Sequence, residues 1–127
     1  MAFQQEIEEI MTAYVAAFNA QNAAECAAIY TEDATIFSPF GPPIRGRAAI
    51  VAEHKNWLAL GEENKRIDVL DCAASGDLGY CLITYAADIT GPDGTQVTEK
   101  GTNLCAMVRR AERWQIQHSS MNETVSD

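Results

Sequence analysis

Apolar residues at Phe3, Ile7, Ile10, Met11, Tyr14, Val15 and Phe18 recur every three or four positions, opposed by Gln4, Gln5, Glu8, Glu9 and Asn19. Such a stripe predicts one long amphipathic helix. Asn22 followed three residues later by Glu25 resembles a capping box, so a second, alanine-rich helix is expected from there to about Tyr30. From Tyr30 to Ile50 the chain reads as an acidic turn, a short strand, a loop stiffened by Pro39, Pro42 and Pro43, and a new helix beginning near Arg47. That third helix places Ile50, His54, Trp57 and Leu58 on one side and stops at Gly61.

Beyond Gly61 the pattern changes to strands. Four are expected, at 66–72, 78–90, 96–108 and 114–120. Ser75-Gly76-Asp77, Gly91-Pro92-Asp93-Gly94 and Arg110-Ala111-Glu112-Arg113 supply the turns between them. Consecutive strands on short turns form an antiparallel meander, and helices followed by strands make the class α+β. Cys81-Leu82-Ile83 and the run Leu104 to Val108 are apolar at successive positions, so both sheet faces carry hydrophobic side chains. Three helices cover only one face. A second copy over the outer face, giving a homodimer, is the simplest symmetric cover.

With 127 residues and 47% hydrophobic content, the chain is expected to form one domain over 1–122 with a short tail at 123–127. A net charge of -9 argues against non-specific nucleic-acid binding and against anionic membranes. No apolar run approaches the ~18 residues of a membrane span, and the first twenty residues carry Gln and Glu rather than a basic leader, so a cytoplasmic protein is expected. Cys26, Cys72, Cys81 and Cys105 lack metal-site spacing and are read as free thiols; no metal or cofactor is expected.

Four segments occur in order: Tyr-x-x-Ala-Phe-Asn-Ala-Gln-Asn at 14–22, Tyr-Thr-Glu-Asp-Ala-Thr at 30–35, Gly-Arg-Ala-Ala-Ile at 46–50 and Trp-Gln-Ile-Gln-His-Ser-Ser at 114–120. Together they resemble the SnoaL-like and ketosteroid isomerase-like branch of the nuclear transport factor two-like superfamily. The resemblance implies a cone-shaped α+β half-barrel, three N-terminal helices packed on a strongly curved antiparallel sheet around a central apolar cavity. It also implies a small apolar ligand. Function does not follow from the fold alone, because the superfamily holds isomerases, cyclases and dehydratases beside binding and assembly domains.

By the resemblance, Tyr14 matches the tyrosine that donates a hydrogen bond to developing oxyanion charge. The plainer reading packs it as core with its hydroxyl on a neighbour. The family's catalytic aspartate falls at Ser38, a poor base, and its second acid falls near Asn103 or Leu104, where Asn103 can orient oxygen but not relay a proton. Steroid isomerisation by the usual Asp base is therefore not expected.

Pairing Arg109 with Trp114 puts Met107, Cys105 and Asn103 on the side of Ile116, and counting on by two adds His118 and Ser120. His118 is then the favoured proton carrier and His54 the second, imidazole titrating near ~6.5. The plainer reading of His118 is a histidine tied to a neighbour for structure, and that of His54 a solvated or rim position. Phe18, Tyr30, Phe37 and Trp57 are expected in or beside the cavity wall, with Ser38, His54 and Ser120 as further ligand contacts. Glu32 and Asp33 read as turn residues, and Arg45 and Arg47 as surface ion-pair partners. The expected function is cofactor-free proton transfer next to a carbonyl by Tyr14, Asn103 and His118. The alternative is a non-catalytic ligand-binding or assembly domain.

Overall fold

The computed structural model describes residues 2–124. Its element order is α1 (Phe3–Asn19), α2 (Ala23–Ala27), β1 (Tyr30–Phe37), β2 (Ile44–Arg45), α3 (Arg47–Ala59), β3 (Glu62–Ser75), β4 (Leu78–Thr90), β5 (Gln96–Arg110) and β6 (Arg113–Glu123). The first helix buries Ile7, Met11, Tyr14, Ala17 and Phe18, the stripe its sequence spacing predicts. Asn22 caps α2, its side chain accepting from the Glu25 N–H at 3.1 Å, yet that helix is only five residues long. Gly61, at φ +89°, takes the left-handed turn that ends α3.

Six strands form one sheet in the order β2-β1-β6-β5-β4-β3. The last four are the expected antiparallel meander, with Arg109 opposite Trp114. Two expectations need correcting. The sheet is mixed, because β1 runs parallel to β6. That pairing joins segments some 80 residues apart, and no local turn announces it. The acidic turn after Tyr30 is instead part of β1, where a register shift between Tyr30 and Thr35 leaves Glu32 and Asp33 exposed within the strand. Of the expected tail at 123–127, Glu123 belongs to β6, and residues 125–127 lie outside the described part.

Register shifts recur at Glu63/Arg66 and Val69/Asp71 in β3 and at Ala106/Met107 between β5 and β6. Each extra residue bends its strand and tightens the local twist, so the sheet curves without closing. The core fills the inner side of this curve. Ile7 and Met11 from α1, Ile50 from α3 and Ile36, Cys81, Met107 and Ile116 from the strands meet there. Tyr14, Phe18 and Cys26 form a smaller cluster at the C-terminal half of α1. All four cysteines are free. Among the described residues, no helix is long and apolar enough to cross a membrane.

The opposite sheet face stays uncovered by the chain's own helices. Leu104, directly opposite Leu82, is 53% exposed, and Tyr80 and Leu78 are also exposed.

Candidate functional site

Chemistry starts where α1 meets α3. Tyr14 Oη lies 2.8 Å from His54 Nε2, and His54 Nδ1 lies 2.8 Å from the Ile50 carbonyl oxygen. A carbonyl only accepts, so Nδ1 carries the ring proton. Burial pulls the imidazole down to about 4, with the Lys65 charge adding to the effect against the Ile50 hydrogen bond. The ring is therefore neutral at physiological pH, Nε2 is a lone pair, and Tyr14 donates to it. Burial also holds the Tyr14 phenol well above its ordinary range, with Tyr30 adding to it, so the proton stays on oxygen. What Tyr14 offers beyond this bond is the acceptor side of its hydroxyl.

Beside Tyr14 lies a pocket of about 280 Å³ between the helices and the inner sheet face, walled by Tyr30, Trp57, Tyr85, Ile67, Ile83 and Ile116. It opens where Phe40, Asn56 and Leu60, which line it, are exposed. The wall is mixed, with polar and charged side chains among the apolar ones, and two of its polar groups stand out. Asn103 on β5, 8% exposed, donates from Nδ2 to Ser119 Oγ at 2.9 Å, while its Oδ1 has no hydrogen-bond partner. A buried carbonyl left without a donor costs about 1–3 kcal/mol, so an orphan acceptor in a pocket wall points to a ligand that supplies one.

Lys65 is the second such group, only 7% exposed. It sits beside the first register shift of β3, next to Asn64 at φ +54°. Asn19 at the end of α1 clamps its backbone, accepting from the Lys65 N–H at 2.7 Å and donating to its carbonyl oxygen at 3.3 Å. The ammonium lies 4.6 Å from the Phe18 ring centre and 4.9 Å from that of Tyr85. No carboxylate comes within ion-pair distance of it among the described residues. Burial pulls its pKa down against the raising influence of Glu62, Cys26 and Glu99. Burial pushes the Glu62 carboxyl up, partly offset by Lys65. Glu53, Glu62 and Glu99 also line the pocket.

The structure distributes the remaining candidates as follows. Tyr14, Tyr30, Trp57 and Asn103 line the pocket together. His54 is fully buried rather than at the rim, packed behind Tyr14, Tyr30 and Trp57, and does not itself line the pocket. Phe18 is 1% exposed and meets the site through the Lys65 ammonium. Ser38 is turned away: its Oγ accepts from the Phe40 N–H at 3.1 Å, and it lines a separate depression under the proline loop.

His118 and Ser120 are not inward-facing. Met107 pairs with Ile116 but Ala106 pairs with His118, so Gln117 is an extra residue that reverses the alternation. Ser119 turns in, 1% exposed, and His118 and Ser120 turn out to the uncovered face. Phe37, paired with Ser120 and 43% exposed, is on that face too and does not line the pocket. The surface readings fare differently. Asp33 accepts from Thr31 Oγ1 at 2.8 Å and pairs with Arg110, and Arg47 lies 3.9 Å from Glu32. Among the described residues no three His, Cys, Asp or Glu side chains cluster to hold a metal ion.

Lys65 is what the sequence reading missed. Its signal was present, since Val69, Ile67 and Lys65 alternate along β3 on one face. A lysine is assigned to solvent by default, because lysines are rarely buried without a partner.

Solved structures with this architecture span most of the chain. A ketosteroid isomerase-like protein from Erwinia carotovora atroseptica superposes with TM-score 0.82 at 17% identity, covering 96% of both chains. A nuclear transport factor two-like protein with a cystatin-like fold from Novosphingobium aromaticivorans gives TM-score 0.82 at 18% identity, over 98% of this chain and 83% of that one. A protein of unknown function from Mycobacterium tuberculosis gives 0.81 at 18% identity, over 96% and 72%. At these identities the likeness concerns the fold alone. No curated protein sequence matches this one. The SnoaL-like domain family matches residues 11–115, from the middle of α1 to the start of β6, and the chain belongs to that family.

Proposed function

We propose that this chain is a cone-shaped half-barrel that encloses a small, mostly apolar, carbonyl-bearing molecule in the pocket beside Tyr14 and moves a proton next to that carbonyl without a cofactor. The observation that carries the reading is the unpartnered Asn103 Oδ1 in the wall of this aromatic-lined pocket. A guest with a hydroxyl or enol proton supplies the missing donor, while the apolar walls hold its skeleton. Tyr14 Oη is the second acceptor available to the same proton. His118, on the outer face, is left out of the chemistry.

Deuterium uptake from D2O into the activated CH2 of 2-tetralone, followed by proton NMR, tests this without knowledge of the natural substrate. Tyr14→Phe and Asn103→Leu should each slow exchange at least tenfold, and His118→Ala should leave it unchanged. Exchange no faster than buffer alone would reject proton transfer.

A second reading, binding without turnover, is favoured by Ser38. It occupies the place of the family's base and bonds its own loop instead of the pocket. Binding of 2-tetralone with no catalysed exchange would select it. For the outer face carrying Leu78, Tyr80 and Leu104, the proposed cover is a second copy of the chain, and sedimentation at one-chain mass at micromolar concentration would contradict the dimer.

A further inference from the structure

We propose that Lys65 is a carbonyl-capturing residue, whose Nζ condenses with an aldehyde or ketone ligand in the pocket to form a protonated imine. This deepens the preceding reading and rests on it, since it needs the same carbonyl guest in the same place.

The placement of Lys65 is built rather than incidental. Its backbone is fixed on both sides by Asn19, at a strand irregularity that requires a left-handed residue at Asn64. The residue is 7% exposed and its ammonium is seated between two aromatic rings, with no carboxylate at ion-pair distance among the described residues. A buried cation left without a counter-ion is costly, and replacing it by an apolar side chain generally stabilises a fold. The side chain therefore suits a task better than it suits stability. Its surroundings fit one task in particular. Burial favours the uncharged amine, the nucleophilic form, over the ammonium. The Glu62 carboxyl lines the same pocket and is pushed up by burial, which suits a group that passes protons.

The step balances without a further reactant. Nζ forms a bond to the carbonyl carbon, and the carbonyl π electrons move to oxygen. The carbon–oxygen bond then breaks, and the oxygen leaves as water with two of the three ammonium hydrogens. One positive charge is kept, on the iminium nitrogen, and nothing is oxidised or reduced. The iminium acidifies the neighbouring C–H in the way that a strong donor to the carbonyl oxygen would. Such a device suits this pocket, because the Tyr14 proton is committed to His54 Nε2 and is not free for a ligand oxygen. Repulsion by carboxylates also argues against the other use of a buried lysine, clasping an anion. Glu53, Glu62 and Glu99 line the pocket with it.

The test uses 2-naphthaldehyde as probe with sodium cyanoborohydride, which reduces an imine to a stable amine. The full chain is treated, digested and mapped by mass spectrometry, and Trp57 fluorescence quenching by the probe is followed separately. The expected result is one naphthylmethyl group on Lys65, at least tenfold above the exposed Lys55 and Lys100. Lys65→Arg, which keeps the charge, and Lys65→Met, which removes it, should both lose that adduct and still quench. Quenching by the unaltered protein without preference for Lys65 would overturn the capture role and leave the pocket reading standing. Neither quenching nor adduct would contradict both.

Discussion

Between pH 7 and pH 4 the unfolding free energy should fall by about 3 kcal/mol through His54 alone. The folded imidazole titrates near 4 because burial disfavours its charged form, whereas the unfolded one titrates near 6.5. In that window the unfolded chain holds more protons, so stability rises with pH. The contribution is fully present above about 6.5 and is lost as pH falls through the folded value, and 1.36 kcal/mol per pKa unit sets its size. Other groups move over neighbouring ranges. Glu62, raised by burial, gains stability as pH falls, in the opposite sense. Asp88, held at about 2 by the Arg66, Asn64 and Thr98 hydrogen bonds, loses stability only in the carboxylate range. Comparison with His54→Gln subtracts both, since the amide oxygen can still accept from Tyr14 without titrating. Urea unfolding of the two proteins across this range checks it. Parallel pH curves would show that His54 is not the neutral acceptor described above.

Gly101→Ala should cost about 3 kcal/mol, at the upper end of what overpacking typically costs. A Cβ at Gly101 would collide with the Asn122 carbonyl oxygen and come within 2.6 Å of the Tyr85 hydroxyl. Strand backbone cannot retreat on the β6 side, so the Tyr85 ring must. That ring is one of the two seats of the Lys65 ammonium, so the damage should reach the pocket as well as the fold. Denaturant unfolding should show the loss, and labelling of Lys65 by the aldehyde should weaken in the fraction that remains folded. A substitution that is neutral in both respects would mean that Tyr85 has room to move and does not hold Lys65.

Local rules carried most of the architecture. The α1 stripe, the Asn22 cap, the Gly61 stop and the hairpin turns each depend on residues a few positions apart, and each lies where its sequence places it. The hairpin at Ala111 and Glu112 is a sharper case, because both residues adopt positive φ without glycine, at 51° and 62°. The turn was legible from its polarity, and its strain was not.

What escaped was set by pairing at a distance. A single extra residue, Gln117, exchanged Ser119 for His118 at the inner face, and period-two counting has no means of seeing a bulge. Likewise the parallel contact between β1 and β6 carries no signal in either strand alone. For the site, Tyr14, Tyr30, Trp57 and Asn103 could be found from their helical or strand periodicity. The His54 bond that fixes the direction of Tyr14 could not, nor could the Asn19 clamp on Lys65, because each joins elements more than 35 residues apart.

The pocket as a seat for a polar-ended apolar guest is most directly tested by a crystal structure of the protein soaked with 2-naphthol. The ring system should lie between Trp57 and Tyr85, with its hydroxyl donating to Asn103 Oδ1 or Tyr14 Oη. Density confined to the protein surface, or a pocket filled by its own side chains, would contradict the account.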